Sequence, residues 1–231
     1  MILKIIRKIV KIYYYSDEQR FAKYLRSKGI LIGNKIKFYG ELRSINIDLT
    51  RPSLIEIGDN VAFNRNFTLL THDFISKVFL HKYNDFLPSS GKVIIGNNVS
   101  FGQNCTVLKG VKIGDNCFIG YGSIVTKDIP ENSVAVGMPA RVVCSIDEYF
   151  ERRKNQCIDE AFIYARSIKE RYNRMPVIED FREEFPLFLN GNEYYSGLPI
   201  KEQLGTSYEI YKKEHRAVFN GFNDFLKKAG L

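Results

Sequence analysis

Tryptophan is absent from the 231-residue sequence, and histidine occurs only three times, at positions 72, 81 and 215. Cysteine is nearly as scarce. The four residues at 105, 117, 144 and 157 form neither a disulfide framework nor a pair with zinc-site spacing. They point to a reducing compartment and, for Cys105 and Cys117, to use as small inward hydrophobes. No apolar run is long enough to span a bilayer. The closest, residues 1–15 (MILKIIRKIVKIYYY), sets Ile2, Ile5, Ile6, Ile9 and Ile12 against Lys4, Arg7, Lys8 and Lys11. It is short, interrupted by Lys and lacks a cleavage-site pattern. It reads as a basic amphipathic helix that either contacts an anionic membrane surface or packs on its own domain or a neighbouring subunit.

The formal charge of +8 suits an anionic partner such as a phosphate-bearing cofactor, nucleic acid or a membrane surface. No basic-aromatic reading surface is evident, which sets nucleic acid aside. Hydrophobic content of 45% and aromatic content of 13% are values of a globular chain with a sizeable core, in one domain or two.

The strongest pattern lies between Ile94 and Val143. Apolar residues recur there every six positions, at Ile95, Phe101, Val107, Ile113, Ile119 and Val125, and Gly follows four of them, at 96, 102, 114 and 120. Four residues after each of the first five comes a second small or branched residue: Val99, Cys105, Val111, Cys117 and Ser123. A period of six fits neither a helix nor a simple strand; it is the signature of a parallel β-helix, three hexads to a triangular coil. Each hexad supplies a short strand, an inward side chain and a turn whose Gly or Asn tolerates positive φ.

Taken in order, residues 1–29 form a helical segment, in which 17–28 is a short helix with Ser16 as N-cap and Gly29 as its stop. The β-helix is expected over 30–144. Its rhythm is irregular through Ile32, Ile36 and Phe38, resumes at Ile57, Val61, Phe63, Phe67 and Leu69, and breaks over 71–91. That excursion from a regular scaffold reads as a functional loop. Residues 145–231 form a helical extension, too aromatic to be a disordered tail. Ser145 and Glu148 have capping-box spacing ahead of a long helix, 177–205 are short Pro- and Gly-punctuated pieces, and 207–228 read as another helical stretch.

A β-helix fills its interior with side chains, so a ligand must bind outside it, in a groove with a projecting loop at its mouth. The excursion carries His72, and imidazole is suited to take a hydroxyl proton near neutral pH. From pattern alone His72 is either such a base or an exposed polar group. Asp73 beside it is a candidate to orient the ring, His81 in the same loop is a rival, and His215 reads as ordinary surface.

The run THDF, followed by IGNNVSFGQNCTVLKGVKIGDNCFIGYGSIVTKDIPENSVAVGMPARVV, resembles the hexapeptide-repeat acyltransferases, in particular the galactoside, xenobiotic and capsular-polysaccharide O-acetyltransferase types. The resemblance covers about residues 30–144. It implies a mainly β fold, a left-handed parallel β-helix assembled as a homotrimer, that moves an acetyl group from acetyl-CoA to a hydroxyl or amine without a metal. It implies His72 as general base. It further implies oxyanion donors near Gly102 and Gln103, a pantetheine path along Gly120, Tyr121 and Gly122, and contacts from Thr126, Lys127 and Arg141 to the nucleotide end and phosphates. A sugar or saccharide precursor is the expected acceptor, and the expected location is cytoplasmic, with a place at the inner face of the membrane open to residues 1–15.

Two departures stand out. Ser100 occupies the position of the family's tryptophan, which either widens the acceptor pocket or leaves another aromatic to fill it. Cys144 replaces a second basic residue, so phosphate binding leans on Lys127 or on C-terminal cations such as Arg152 and Arg153. A carbonic anhydrase on the same fold would need three zinc-binding histidines, and none falls between 82 and 214. N-acetylation of an amino sugar, and a non-catalytic scaffold or binding module, are the alternatives to O-acetylation.

Overall fold

The six-residue rhythm closes into a three-sided coil. Partners in successive regular coils stand 18 residues apart, three hexads, as with Asn98 and Asn116. The structure, a computed structural model, describes residues 13–231, so most of the amphipathic stretch 1–15 lies outside the described residues. Three parallel sheets form the sides. One stacks Leu31–Ile32, Ile55–Ile57, Val93–Ile95 and Lys112–Ile113. The second stacks Lys37–Phe38, Ala62–Phe63, Val99–Phe101, Cys117–Ile119 and Ser133–Gly137, and ends in the antiparallel strand Ala140–Ser145. The third stacks Asn46–Ile47, Thr68–Leu69, Thr106–Val107 and Ile124–Val125.

Every inward residue expected from the hexads is buried, from Ile95 through Val125, as are Val99, Cys105, Val111, Cys117 and Ser123. Burying each large aliphatic side chain contributes roughly 1.5–3 kcal/mol. Aromatic rings form a ladder inside the early coils. Phe38 stacks on Phe63 at 5.4 Å between ring centroids, and Phe63 on Phe101 at 5.5 Å, while Phe67 wedges against both Phe63 and Phe101.

The corners take positive φ at Asn and, at Gly110 and Gly122, at Gly, as expected, with Asn supplying most of it. Asn60, Asn66, Asn98, Asn104, Asn116 and Asn132 all have φ between 54° and 61°. Their amides also bond from coil to coil. Asn60 donates to Asn98, Asn98 to Asn116 and Asn116 to Asn132, each at 2.9 Å; at a second corner Asn66 donates to Asn104 at 2.8 Å and Asn104 to the Tyr121 hydroxyl at 2.7 Å. The glycines that follow inward residues serve close approach instead. A Cβ on Gly96 would lie 2.3 Å from Asp115 Oδ1 and 2.8 Å from the Gly114 carbonyl carbon.

The helix Glu18–Ser27 packs Phe21, Ala22 and Leu25 into the core shared with the first coils. Its cap is Asp17, whose Oδ1 accepts from the amides of Gln19 and Arg20, and not Ser16 as expected; Gly29 ends it with φ 101°. The described chain divides into two compact units, the first ending at Phe150 and the second running Glu151–Leu231. The boundary expected after Cys144 falls slightly earlier. The capping box is present: Ser145 N donates to Glu148 Oε2 at 2.8 Å and Glu148 N to Ser145 Oγ at 3.1 Å, at the start of the helix Ile146–Tyr172.

The second unit has its own core, in which Phe181 meets Phe188, Phe222 and Phe225 edge-on. The single helix expected over 207–228 is two, Tyr208–Glu214 and Phe222–Lys228. Between them the backbone turns aside so that Phe219 N reaches Leu187 O at 2.9 Å, and Gly221 takes φ 84°. Aromatic spacing alone did not reveal that break.

Asn116→Ala removes two ladder bonds and places a Cβ-bearing residue without local hydrogen bonding in a left-handed turn. It is expected to cost about 2 kcal/mol in urea unfolding. Asn116→Gly, which keeps the turn and loses the bonds, is expected to cost less. Equal losses would refute the conformational part of this account.

Candidate active site

Register identifies what shares the remaining corner. Ile47 pairs with Leu69, Leu69 with Val107 and Val107 with Val125. The residues just beyond these four therefore stack: Asp48 to Thr50, then Leu70 to His72, then Lys109 and Gly110, then Thr126 and Lys127. Among the described residues this corner has no Asn ladder. It carries Asp48, His72, Lys109 and Lys127 among Leu, Thr and Gly, and the excursion leaves the coil from it.

His72 is held by Asp48. Its Nδ1 lies 2.6 Å from Asp48 Oδ2, with the imidazole 16% exposed and the carboxylate 4%. Four more donors converge on the same carboxylate. Thr50 N and Thr50 Oγ1 reach Oδ1 at 2.9 and 2.7 Å, while Thr71 N and Thr71 Oγ1 reach Oδ2. Burial pushes the Asp48 carboxyl up, but the hydrogen bonds from Thr71, Thr50 and His72 outweigh it and hold the group well below the usual carboxylate range. An ionised carboxylate only accepts, so Nδ1 carries a proton, and in the neutral ring the lone pair sits on Nε2. Nε2 has no hydrogen-bond partner among the described residues. The arrangement can take a proton from a hydroxyl and stabilise the resulting imidazolium.

Asp73, expected to orient the ring, does not touch it. Its Oδ2 accepts from Lys109 Nζ at 2.9 Å and Ser89 Oγ at 3.0 Å, and its Oδ1 from Ile75 N at 3.1 Å. Neighbours on extended chain point to opposite sides, which is why the adjacent carboxylate misses and one 24 residues away succeeds. Phe74 packs edge-on against the imidazole, 5.3 Å between centroids. The excursion contains a helix, Ser76–Tyr83, that the sequence did not signal. His81 is exposed in its last turn. His215 is half-buried rather than ordinary surface, stacked on Tyr211 at 4.3 Å with Nε2 donating to Pro186 O.

The hexapeptide pattern also has a counterpart among known proteins. The family described as bacterial transferase hexapeptide (six repeats) matches residues 92–127. YvoF, a putative acetyltransferase of Bacillus subtilis (strain 168), is 31% identical over 152 residues, covering 64% of this chain and 83% of the relative. Protein CapG of Staphylococcus aureus is 33% identical over 159 residues, covering 69% of this chain and 88% of the relative. The chain belongs to the bacterial hexapeptide transferase family. Its fold is accordingly the family's left-handed parallel β-helix. The galactoside O-acetyltransferase of Escherichia coli (strain K12) is 40% identical over 110 residues, 46% of this chain and about half, 51%, of that enzyme. Among solved structures, a maltose O-acetyltransferase from Clostridium difficile 630 aligns with a TM-score of 0.45 at 28% identity, over 62% of this chain and 84% of that one.

Within the hexapeptide transferase frame, the residues expected to hold the donor occupy three places. Gly102, Gln103, Gly120, Tyr121 and Gly122 lie at the second Asn corner, away from the corner of His72. The Gly102 amide donates to Ile119 O at 2.8 Å, so it is not available as an oxyanion donor. The missing Cβ at Gly120 makes room for Val136 Cγ1, 2.6 Å from where it would stand, and not for a ligand. Gly122 differs: it has φ 70° and only Met138 Cε within reach of a Cβ. Tyr121 is 71% exposed. Thr126 and Lys127 are exposed on the His72 corner. Arg141 is exposed on the terminal hairpin opposite Val136. Arg153, named as a stand-in for Cys144, is committed to Glu160 through two hydrogen bonds, at 2.7 and 2.5 Å. Among the described residues, no group of three or more His, Cys, Asp and Glu side chains is placed to hold a metal.

Asp48, Thr50, Thr71 and Lys109 are the members the sequence reading missed. The phase of the repeat is lost between Phe38 and Ile57, so nothing aligned Asp48 with His72 before the coils were stacked. Because the folded carboxyl of Asp48 is depressed, its stabilisation is complete above the unfolded value of about 4 and is withdrawn as pH falls below it. Asp48→Asn is therefore expected to destabilise the protein at pH 6, with the gap to wild type narrowing toward pH 3 in urea unfolding. A gap that is constant or widens would contradict an ionised Asp48.

Proposed function

We propose that this chain transfers the acetyl group of acetyl-CoA to a hydroxyl of a saccharide or saccharide precursor, with His72 as the general base. The observation that carries this reading is the Asp48–His72 pair, which fixes the imidazole tautomer and leaves Nε2 with its lone pair and no partner among the described residues. The acceptor oxygen attacks the thioester carbonyl carbon while its proton passes to Nε2. The carbonyl π pair moves onto oxygen, then returns as the carbon–sulfur bond breaks, and the leaving thiolate takes the proton back from the imidazolium. Asp48 stabilises the imidazolium in between, at short range in a dry setting where charge–charge attraction is strong.

Lys127 and Arg141 supply cations for the phosphates of the donor, and the exposed Tyr121 offers a flank for its pantetheine arm. Because these groups sit on different corners and sides of one coil, the reading requires a homotrimer in which one chain's His72 corner faces a neighbour's Tyr121 corner. The names of the relatives support acetyl transfer to sugars, galactoside O-acetyltransferase and maltose O-acetyltransferase among them. Residues 1–15, rich in Ile and Lys, support a place beside an anionic membrane face where a lipid-linked saccharide would be presented.

Thiol release from acetyl-CoA over a panel of sugar acceptors tests the assignment. His72→Ala is expected to lower kcat/KM by at least about 10²-fold, the scale of losing a general base. Asp48→Asn is expected to lower it less and to move the acidic-side limb of the pH profile to lower pH, since the imidazolium loses its counter-charge. Wild-type turnover by His72→Ala would sink the base assignment. For the membrane contact, deletion of residues 1–12 is expected to abolish co-sedimentation with phosphatidylserine-containing vesicles; undiminished binding would refute it.

A further inference from the structure

The excursion that carries His72 is closed at its neck by more than backbone pairing. Thr71 O accepts from Gly91 N at 2.9 Å, His72 pairs with Ser90 across an antiparallel bridge, and Asp73 N donates to Ser89 O at 3.4 Å. The returning strand rests directly on the next coil: a Cβ on Gly91 would lie 2.7 Å from Gly110 N and 2.9 Å from Gly110 Cα. One residue before Gly110 stands Lys109. Its Nζ lies 2.9 Å from Asp73 Oδ2 and also donates to Ser89 Oγ, while Ser89 Oγ donates to the same Asp73 oxygen at 3.0 Å. A single ammonium thus ties both sides of the neck to the coil that follows. The residues on either side of Asp73 are His72 and Phe74, whose rings meet edge-on, so whatever fixes Asp73 also fixes the stem of the imidazole.

We propose that Lys109 is a positioning residue for His72, acting through Asp73 and Ser89 to set where the imidazole stands over this corner. The inference rests on the reading of His72 as the base. Magnitudes favour a role in rate over one in stability. The Lys109 side chain is 30% exposed and that of Asp73 42%, and an ion pair so open to water adds little to folding. A displacement of about 1 Å at a reacting group, in contrast, can cost on the order of 10² in rate. The competing role for Lys109, suggested by its stacking level with Lys127, is direct contact with substrate.

The test uses the full chain, with thiol release kinetics and amide hydrogen exchange in parallel. Lys109→Met is expected to lower kcat about 10-fold with the KM values for donor and acceptor within about 2-fold of wild type, the split expected of a misplaced catalytic group. Asp73→Asn is expected to do the same, and the double variant to be no worse than either single one, because both act through one contact. Lys109→Arg is expected to restore most of kcat. Amide exchange at Asp73 and Gly91 is expected to speed up in Lys109→Met. A kcat unchanged in Lys109→Met, a raised KM at unchanged kcat, or additive losses in the double variant would each overturn the proposal while leaving His72 as the base. If His72→Ala itself proves fully active, the base reading fails, and the exchange measurement then decides about the neck: amides at Asp73 and Gly91 that exchange at the wild-type rate in Lys109→Met overturn the lock.

Discussion

Successive coils of a parallel β-helix lie one strand spacing apart, about 4.8 Å, and the three corners must each turn the chain within that height. Two corners of this protein meet the demand in the same way. An Asn takes the left-handed conformation, its amide bonds to the coil beside it (to another Asn, or from Asn104 to the Tyr121 hydroxyl), and a Gly lets the next coil settle on it. Those ladders make the two corners regular, and the titratable side chains of the candidate site gather at the third. The third corner carries Asp48, His72, Lys109 and Lys127 in place of a ladder, and there the chain can leave the coil for twenty residues and return. Structure and candidate site are thus two solutions to one packing constraint.

The Asp48–His72 pair shows how a buried charge is kept. A carboxylate removed from water would ordinarily be pushed toward its neutral form. Here five donors meet it, two of them amides whose positions are set by the coil backbone. The regular scaffold supplies the amides at Thr50 and Thr71, and the irregular excursion supplies the imidazole. Neither alone would make a residue able to take a proton: an unsupported His72 would be free to rotate and change tautomer, and burial would push an Asp48 without its donors up from the usual carboxylate range.

The second unit follows different physics. Its core is a knot of phenylalanines drawn from a long helix, short 3₁₀ turns and the final helix, and about a third of the chain lies outside the alignments with YvoF and CapG. Within it the Tyr211 hydroxyl is buried without a hydrogen-bond partner among the described residues, and burial pushes its pKa up to about 12. Tyr211 keeps its ring packed on His215 and Phe185.

By itself the sequence determined the inward residues of the regular coils, the place of the interruption, and His72 within it. These features repeat at a fixed local period or break it, and a period is visible in one dimension. The partner of His72 was decided only in three dimensions. The coils around it have unequal lengths, with cross-coil partners 25 and 38 residues apart where the regular spacing is 18, so no constant offset leads from His72 to Asp48. Adjacency in sequence pointed to Asp73, and the pleat of extended chain turned that carboxylate to Lys109. Gly102 and Gly120 were legible as glycines of the repeat, but that their bare Cα atoms admit the next coil, and not a ligand, is a property of the stack. Local periodicity fixed which residues face inward; the lengths of the insertions between coils decided which of the outward-facing ones meet.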